Sequence, residues 1–299
     1  MKNSEPVRHH YIPQFILRNF CCDDKGHVCF YNKKQQKTFI RQTRDVFMTP
    51  NLYRDEINHP DEPSKIEKDF SKFECEAANI INKRFLNGEN ITLSKAENDM
   101  LKLFFAIMGL RSDYAHNKFN HFLSRESKDI YSLYQGNNNL EDFWKRNLGN
   151  IIKCRSIDEV LNNKDIDVPF KIFMHRDTEG HTGSHIIIAD STDSEKFLIG
   201  DCYPVVKTGI LGNGIPKDIL SLYPLSPNRI LILANNGAEN CPRNILILRS
   251  SVFHTPNQNC DDKFTFRVKH LKDYEVEYIN SCIKEHSDYG YIVNKTRTL

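Results

Sequence analysis

Between Met100 and Leu110 nearly every residue is apolar: Leu101, Leu103, Phe104, Phe105, Ala106, Ile107, Met108 and Leu110. Just ahead of them, Ser94-Lys95-Ala96-Glu97 has the form of a capping box, in which the serine oxygen and the glutamate carboxylate satisfy backbone donors left over at a helix start. A helix that begins there is apolar on all sides, and such a helix belongs in the middle of a fold. The rest of the chain must supply elements to cover it. Arg111 and Asp113 end the run. An arginine so close to buried surface has to reach a carboxylate or solvent, because an unpaired buried charge is very costly.

The candidates for covering elements read as follows. From Lys65 to Phe85, residues Ile66, Phe70, Phe73, Ala77, Ile80 and Ile81 recur at spacings of three and four, which predicts a helix with one apolar face. Glu67 and Glu74 are two turns apart on that helix, so they project from nearly the same side, beside the apolar stripe. The helix from Ser94 is expected to continue through Tyr114, Phe119, Phe122 and Ile130 to Tyr134, with Gly136 to Asn139 ending it and further helix between Leu140 and Leu161. Nearer the start, Val28 to Tyr31 and Thr38 to Ile40 read as a hairpin, and Phe47 to Tyr53, which carries Pro50, as an irregular extended segment. From Lys171 and Phe173 onward the chain turns β-branched, with short runs at His185 to Ala189, Lys196 to Gly200, Arg229 to Leu233 and Asn244 to Leu248. Asp261 to Lys269 adds a strand, and Asp273 to Ser287 an amphipathic helix. The expected fold is α+β: a helical N-terminal half with a small β-hairpin, a strand-rich C-terminal half forming a mostly antiparallel sheet, and a closing C-terminal helix. The whole chain, 1–299, is expected to be one domain, with 1–164 mainly helical and 165–299 mainly β.

Composition narrows the class without choosing a function. At 299 residues, with 39% apolar and 27% charged, the chain can bury a core without disulfides or metals. No apolar run is long enough to cross a bilayer, and Met1 to Pro6 lack the apolar core of a signal peptide, so a cytoplasmic address and no membrane partner are expected. Nine cysteines, odd in number and without a C-x-x-C pair, argue against a disulfide framework or zinc ribbon. A net charge of +2 neither demands nor forbids nucleic acid. There is no Gly-x-Ser-x-Gly elbow and no Walker loop, and Gly209, Gly212 and Gly214 miss the dinucleotide spacing.

Titratable groups gather in three places. Arg8-His9-His10-Tyr11-Ile12-Pro13 puts two histidines in an extended stretch, where adjacent side chains point to opposite faces, so one of them at most faces a given pocket. Asp201 follows a strand and precedes Tyr203-Pro204, a place where an aspartate either displays its carboxylate or caps a turn. His175, His181 and His185, with Asp177 and Glu179 between, form a looser cluster around Gly180 and Gly183.

Taken together these residues resemble a widespread, mostly bacterial family known as domain of unknown function 4238. Its His-Tyr-x-Pro-x-x-x-Leu-x-x-Phe signature is matched by His10, Tyr11, Pro13, Leu17 and Phe20, with His9 in the preceding position. Further matches are Asn51 and Tyr53, the Ile-Glu-x-x-Phe-Ser-x-x-Glu pattern ending in Glu74, Arg111, Pro224 to Pro227, and Asn280. The family's Ser-Asp-Asn-Pro-like turn is altered here, running Gly200-Asp201-Cys202-Tyr203-Pro204. The resemblance implies no activity.

The residues leave two functions open, and a third, a toxin-like effector acting on a small nucleotide or protein target, is not separated by them from the first. One is a metal-dependent phosphodiesterase or nuclease-like hydrolase, in a bacterial defence setting. His10, Glu67, Glu74 and Asp201 would be catalytic, with His10, Glu74 and Asp201 holding Mg or Mn, since imidazole and carboxylate together can hold a divalent ion that activates water. His9, Tyr11, Tyr53 and Arg111 would hold a nucleic acid or nucleotide, arginine's planar fork suiting a phosphate. The other is a non-enzymatic recognition or regulatory module, in which the HHYIP segment is an anchor with its histidine bonded to buried backbone and Arg111 neutralised by Glu67 or Glu74. Oligomeric state is not fixed by any of these features.

Overall fold

The computed structural model describes residues 7–111, 140–178, 185–210, 216–234 and 263–294. They form seven α-helices and thirteen strands, in two compact units assembled from alternating stretches of chain: 1–11, 47–77 and 99–178 make unit 1, and 12–46, 78–98 and 179–299 make unit 2.

Unit 1 is the helical one. Its only strands among the described residues, β1 (Arg8–His10) and β4 (Met48–Pro50), pair antiparallel with His9 opposite Thr49. Phe47 and Asn51, on either side of β4, both take positive φ (52° and 58°), a conformation that asparagine tolerates and a buried phenylalanine rarely adopts. The helix α2 (Lys65–Ile80) buries Ile66, Phe70, Phe73 and Ala77; residues 78–98, which belong to unit 2, follow with a π-helical turn, Ile81–Phe85, and the start of the next helix. The capping box forms as the sequence predicts: the Ser94 hydroxyl accepts from Glu97 N–H and the Glu97 carboxylate from Ser94 N–H. It opens α3 (Lys95–Arg111), which from Met100 to Leu110 is buried on every side apart from Lys102 and Gly109. Then come α4 (Leu140–Ile151), α5 (Ile157–Asn162) and α6 (Val168–Thr178). The expected continuation from Tyr114 to Tyr134 and its Gly136 to Asn139 stop lie outside the described residues.

Unit 2 holds a five-residue α1 (Gln14–Arg18), the hairpin β2 (His27–Asn32) and β3 (Lys37–Gln42), the strands β5 (Asn90–Ser94), β6 (His185–Asp190), β7 (Ile199–Gly200), β8 (Val205–Ile210), β9 (Pro216–Pro224), β10 (Arg229–Ala234), β11 (Lys263–Arg267) and β12 (Lys269–His270), the helix α7 (Asp273–His286) and β13 (Gly290–Val293). A five-stranded sheet runs β12-β6-β10-β9-β8, antiparallel except where β12 meets β6. A four-stranded antiparallel sheet runs β3-β2-β13-β7, and β11 pairs with β5. The core joins one face of the larger sheet (Ile187, Ala189, Leu220, Leu222, Ile230, Ile232) to the apolar stripe of α7 (Val276, Ile279, Cys282, Ile283).

The expected layout is therefore corrected. Residues 7–50 are strand-rich, with four strands, one short α-helix and a 3-10 turn at Thr43–Asp45, and the longer helices begin in the middle of the chain. Separate sheets replace the single sheet expected in the second half, Lys171 and Phe173 lie in α6, and α7 is followed by a strand that enters a sheet with β2. The reason is length. Three- and four-residue strands are too short to show a period of two, and their partners lie far away in sequence. The run at Asn244 to Leu248 falls outside the described residues. Among the described residues no helix is long and apolar enough to cross a membrane.

Candidate functional site

The polar residues singled out by the sequence meet chiefly in unit 1, around the end of α3. Glu67, Phe70 and Glu74 lie along one line of α2, because steps of three and four return to the same side of a helix. That line places an aromatic ring between two carboxylates. The Arg111 guanidinium lies over this ring, its central carbon 4.2 Å from the Phe70 centroid and 5.6 Å from that of Tyr53. Each of its three nitrogens donates: Nη1 to Glu74 Oε1, Nη2 to the His10 carbonyl at 2.5 Å, and Nε to the Tyr53 hydroxyl at 3.3 Å. Burial works against the charge, but Tyr53, Glu74 and Glu67 together push the Arg111 pKa upward, so it stays protonated.

Tyr53 ties the cluster to β1. Its hydroxyl donates to the Arg111 carbonyl at 2.8 Å, and its backbone N–H donates to His9 Nδ1 at 2.8 Å. A nitrogen that accepts carries no proton, so in this arrangement a neutral His9 ring keeps its proton on Nε2. The His9 and Tyr53 rings are nearly parallel, 6° apart with centroids at 5.5 Å, and Trp144 stacks on Tyr53 at 5.9 Å. Burial holds the Tyr53 phenol far above its ordinary range.

Glu67 is the group left over. Its Oε2 is buried with no hydrogen-bond partner. Burial, together with the Glu74 charge and against the pull of Arg111, pushes its carboxyl up to about 7. It is thus poised to exchange a proton near neutrality.

The structure brings together His9, His10, Tyr53, Glu67, Glu74 and Arg111, and buries the four proposed substrate-holding residues: His9 at 0% exposure, Tyr11 at 6%, Tyr53 at 0% and Arg111 at 1%. Asp201 lies in unit 2, where its carboxylate accepts from the N–H groups of Asp288 (2.9 Å), Tyr289 (2.5 Å) and Gly290 (3.1 Å). Burial raises its pKa while these three bonds lower it, and burial prevails. It caps a turn, though one far from its own. Among the described residues no three His, Cys, Asp or Glu side chains are grouped so as to hold a metal ion. The side chains of His175, His181 and His185 lie outside those described.

Sequence reasoning passed over Phe70 and Trp144. Phe70 had a signal in its position midway between the two glutamates, and Trp144, the chain's one tryptophan, had none. An open depression of about 500 Å³ in unit 2, lined by Gln14, Arg18, Cys21, Lys25, Gly26 and Arg44 among others, shares no residue with this cluster.

The signature segment is divided between the units: His9, His10 and Tyr11 in unit 1, and Leu17 and Phe20, both buried, in unit 2. No curated protein and no solved structure matches the chain significantly. The family model described as "Protein of unknown function (DUF4238)" matches residues 8–298, nearly the whole length, and the chain belongs to that family.

Proposed function

We propose that the chain is a non-enzymatic recognition or regulatory module, in which the HHYIP segment anchors a buried polar core. One observation carries this reading: Arg111 is 1% exposed and each of its three nitrogens already donates inside the protein, to Glu74, the His10 carbonyl and Tyr53, so the guanidinium offers no open face to a phosphate. His9 is committed in the same way, to the Tyr53 N–H. The test is a comparison of wild type with His9→Ala, followed by Trp144 fluorescence during urea unfolding and by hydrolysis of DNA and RNA with magnesium or manganese. The module reading expects about 1–3 kcal/mol of lost stability, the cost of orphaning a buried donor, and no hydrolysis by either protein. Metal-dependent hydrolysis by wild type would overturn it.

A second reading, a metal-dependent phosphodiesterase or nuclease-like hydrolase, is favoured by Glu67, whose buried oxygen has no partner and whose carboxyl sits near 7 beside Glu74. Such a group is matched to general acid or base work. This reading expects hydrolysis that Glu67→Gln and His10→Ala abolish while unfolding stays cooperative. Hydrolysis indifferent to both substitutions removes it.

A further inference from the structure

The strand β3 ends the four-stranded sheet, with β2 paired to it from Lys37 to Gln42 and no strand on its other side among the described residues. Alternate residues of an antiparallel strand turn their N–H and C=O groups to opposite sides, so half of β3 offers its backbone outward. Sheets usually blunt such an edge with a bulge, a proline, a covering helix or charged side chains, and this edge carries the charges. Here the β2–β3 register is unbroken, no proline interrupts residues 37–42, and Ile40 is 57% exposed.

The charge of this edge is one-sided. Lys34, Lys37, Arg41 and Arg44 are exposed, and no acidic residue stands between Asn32 and Arg44. None of the four enters an ion pair among the described residues. Lys37, Phe39 and Arg41 share one face of the strand, and Arg41 lies 5.3 Å over the Phe39 ring. A second copy of β3 would bring positive charge against positive charge, which is unfavourable across a strand pair, whereas carboxylates there are favourable.

We propose that β3 is the docking edge for an extended acidic segment of another protein, which joins the sheet as a further strand with carboxylates opposite Lys37 and Arg41 and an apolar side chain opposite Phe39. Main-chain bonds would give affinity, and the alternation of acid and apolar groups would give selection. This names a partner class for the module reading and rests on it. Hydrolysis lost in Glu67→Gln would remove the module reading whatever the peptide does, whereas failure of the peptide measurements below removes strand addition alone.

The probe is a synthetic peptide with two glutamates four positions apart on either side of a valine, compared with its lysine counterpart and with a version N-methylated along one edge. Binding to the full chain is read by fluorescence anisotropy. The wild type is expected to bind the glutamate peptide in preference to the other two. Lys37→Glu combined with Arg41→Glu, both at exposed positions, is expected to weaken that binding about tenfold, since two favourable cross-strand charge pairs become unfavourable, and to gain binding of the lysine peptide. Equal binding of the N-methylated peptide, indifference to the double substitution, or displacement of the glutamate peptide by a single-stranded oligonucleotide at lower concentration would each overturn strand addition.

Discussion

Replacing Glu67 by glutamine should stabilise unit 1 at neutral pH and flatten its response to pH. The carboxyl stands near 7 in the folded chain against an ordinary 4.5. A raised carboxyl pKa means that the folded chain holds the proton more tightly than the unfolded one. Stability from this group is therefore complete below pH 4.5 and falls as pH rises through 7. At roughly 1.36 kcal/mol for each pH unit, the full loss is about 3 kcal/mol, and between pH 5 and 8 it is about 2.5 kcal/mol. Glu67→Gln removes the charge and keeps the shape, leaving one buried polar atom where there was one before. The assay is urea unfolding at pH 5, 6, 7 and 8 followed by the fluorescence of Trp144, which is fully buried and stacked on Tyr53. The variant is expected to exceed wild type by about 2–3 kcal/mol at pH 8 and to converge with it toward pH 5. Equal slopes in the two proteins, or a variant weaker than wild type at pH 8, would refute the reasoning and mean that a partner satisfies the Glu67 carboxylate.

Arg111→Met should cost about 3–5 kcal/mol in the same assay, because it strands Glu74. Arg111→Lys should recover only part of that, since an ammonium cannot serve three acceptors in one plane. Asp201→Asn leaves a single acceptor oxygen for three N–H groups, and is expected to cost roughly 1–3 kcal/mol, with faster hydrogen exchange at residues 288–290 as its local mark. Gly290→Ala would drive its new methyl into the Tyr31 carbonyl and to 2.6 Å from Phe30 Cζ. A loss of about 1–3 kcal/mol is expected, and an unchanged thermal melt would show that the sheet can yield there.

The long elements were legible and the short ones were not. The stripe on α2 and the capping box on α3 are each written within one stretch of sequence, so period and cap chemistry identify them without tertiary knowledge. The pair β1 and β4 has three residues a side, held between backbone twists at Phe47 and Asn51, and a phenylalanine gives no hint of positive φ. Within the site, the need of Arg111 for a carboxylate followed from the cost of burying charge, and the line of α2 supplied the candidates. What could not be read was the division of labour. The sequence favoured His10 for chemistry, while the ring with a defined acceptor role toward the backbone is that of His9. Asp201 was recognisable as a strand-end carboxylate, but the three amides it serves lie close to ninety positions further on.

The order β3-β2-β13-β7 has a consequence for how the chain reaches this state. Gly290 pairs with Asn32, and most of the polypeptide lies between them. The β2–β3 hairpin is made long before β13, so the neighbour that covers its β2 side arrives only after every other described strand has been made. Closing so long a loop is entropically slow compared with local pairing. Until then the nascent hairpin has two bare flanks, and of its two strands only β3 carries lysine and arginine, the charges that discourage pairing with like strands, so the β2 flank is unguarded. Loss of β13 would leave that waiting form permanent, an aggregation risk created by a deletion far from the residues that aggregate.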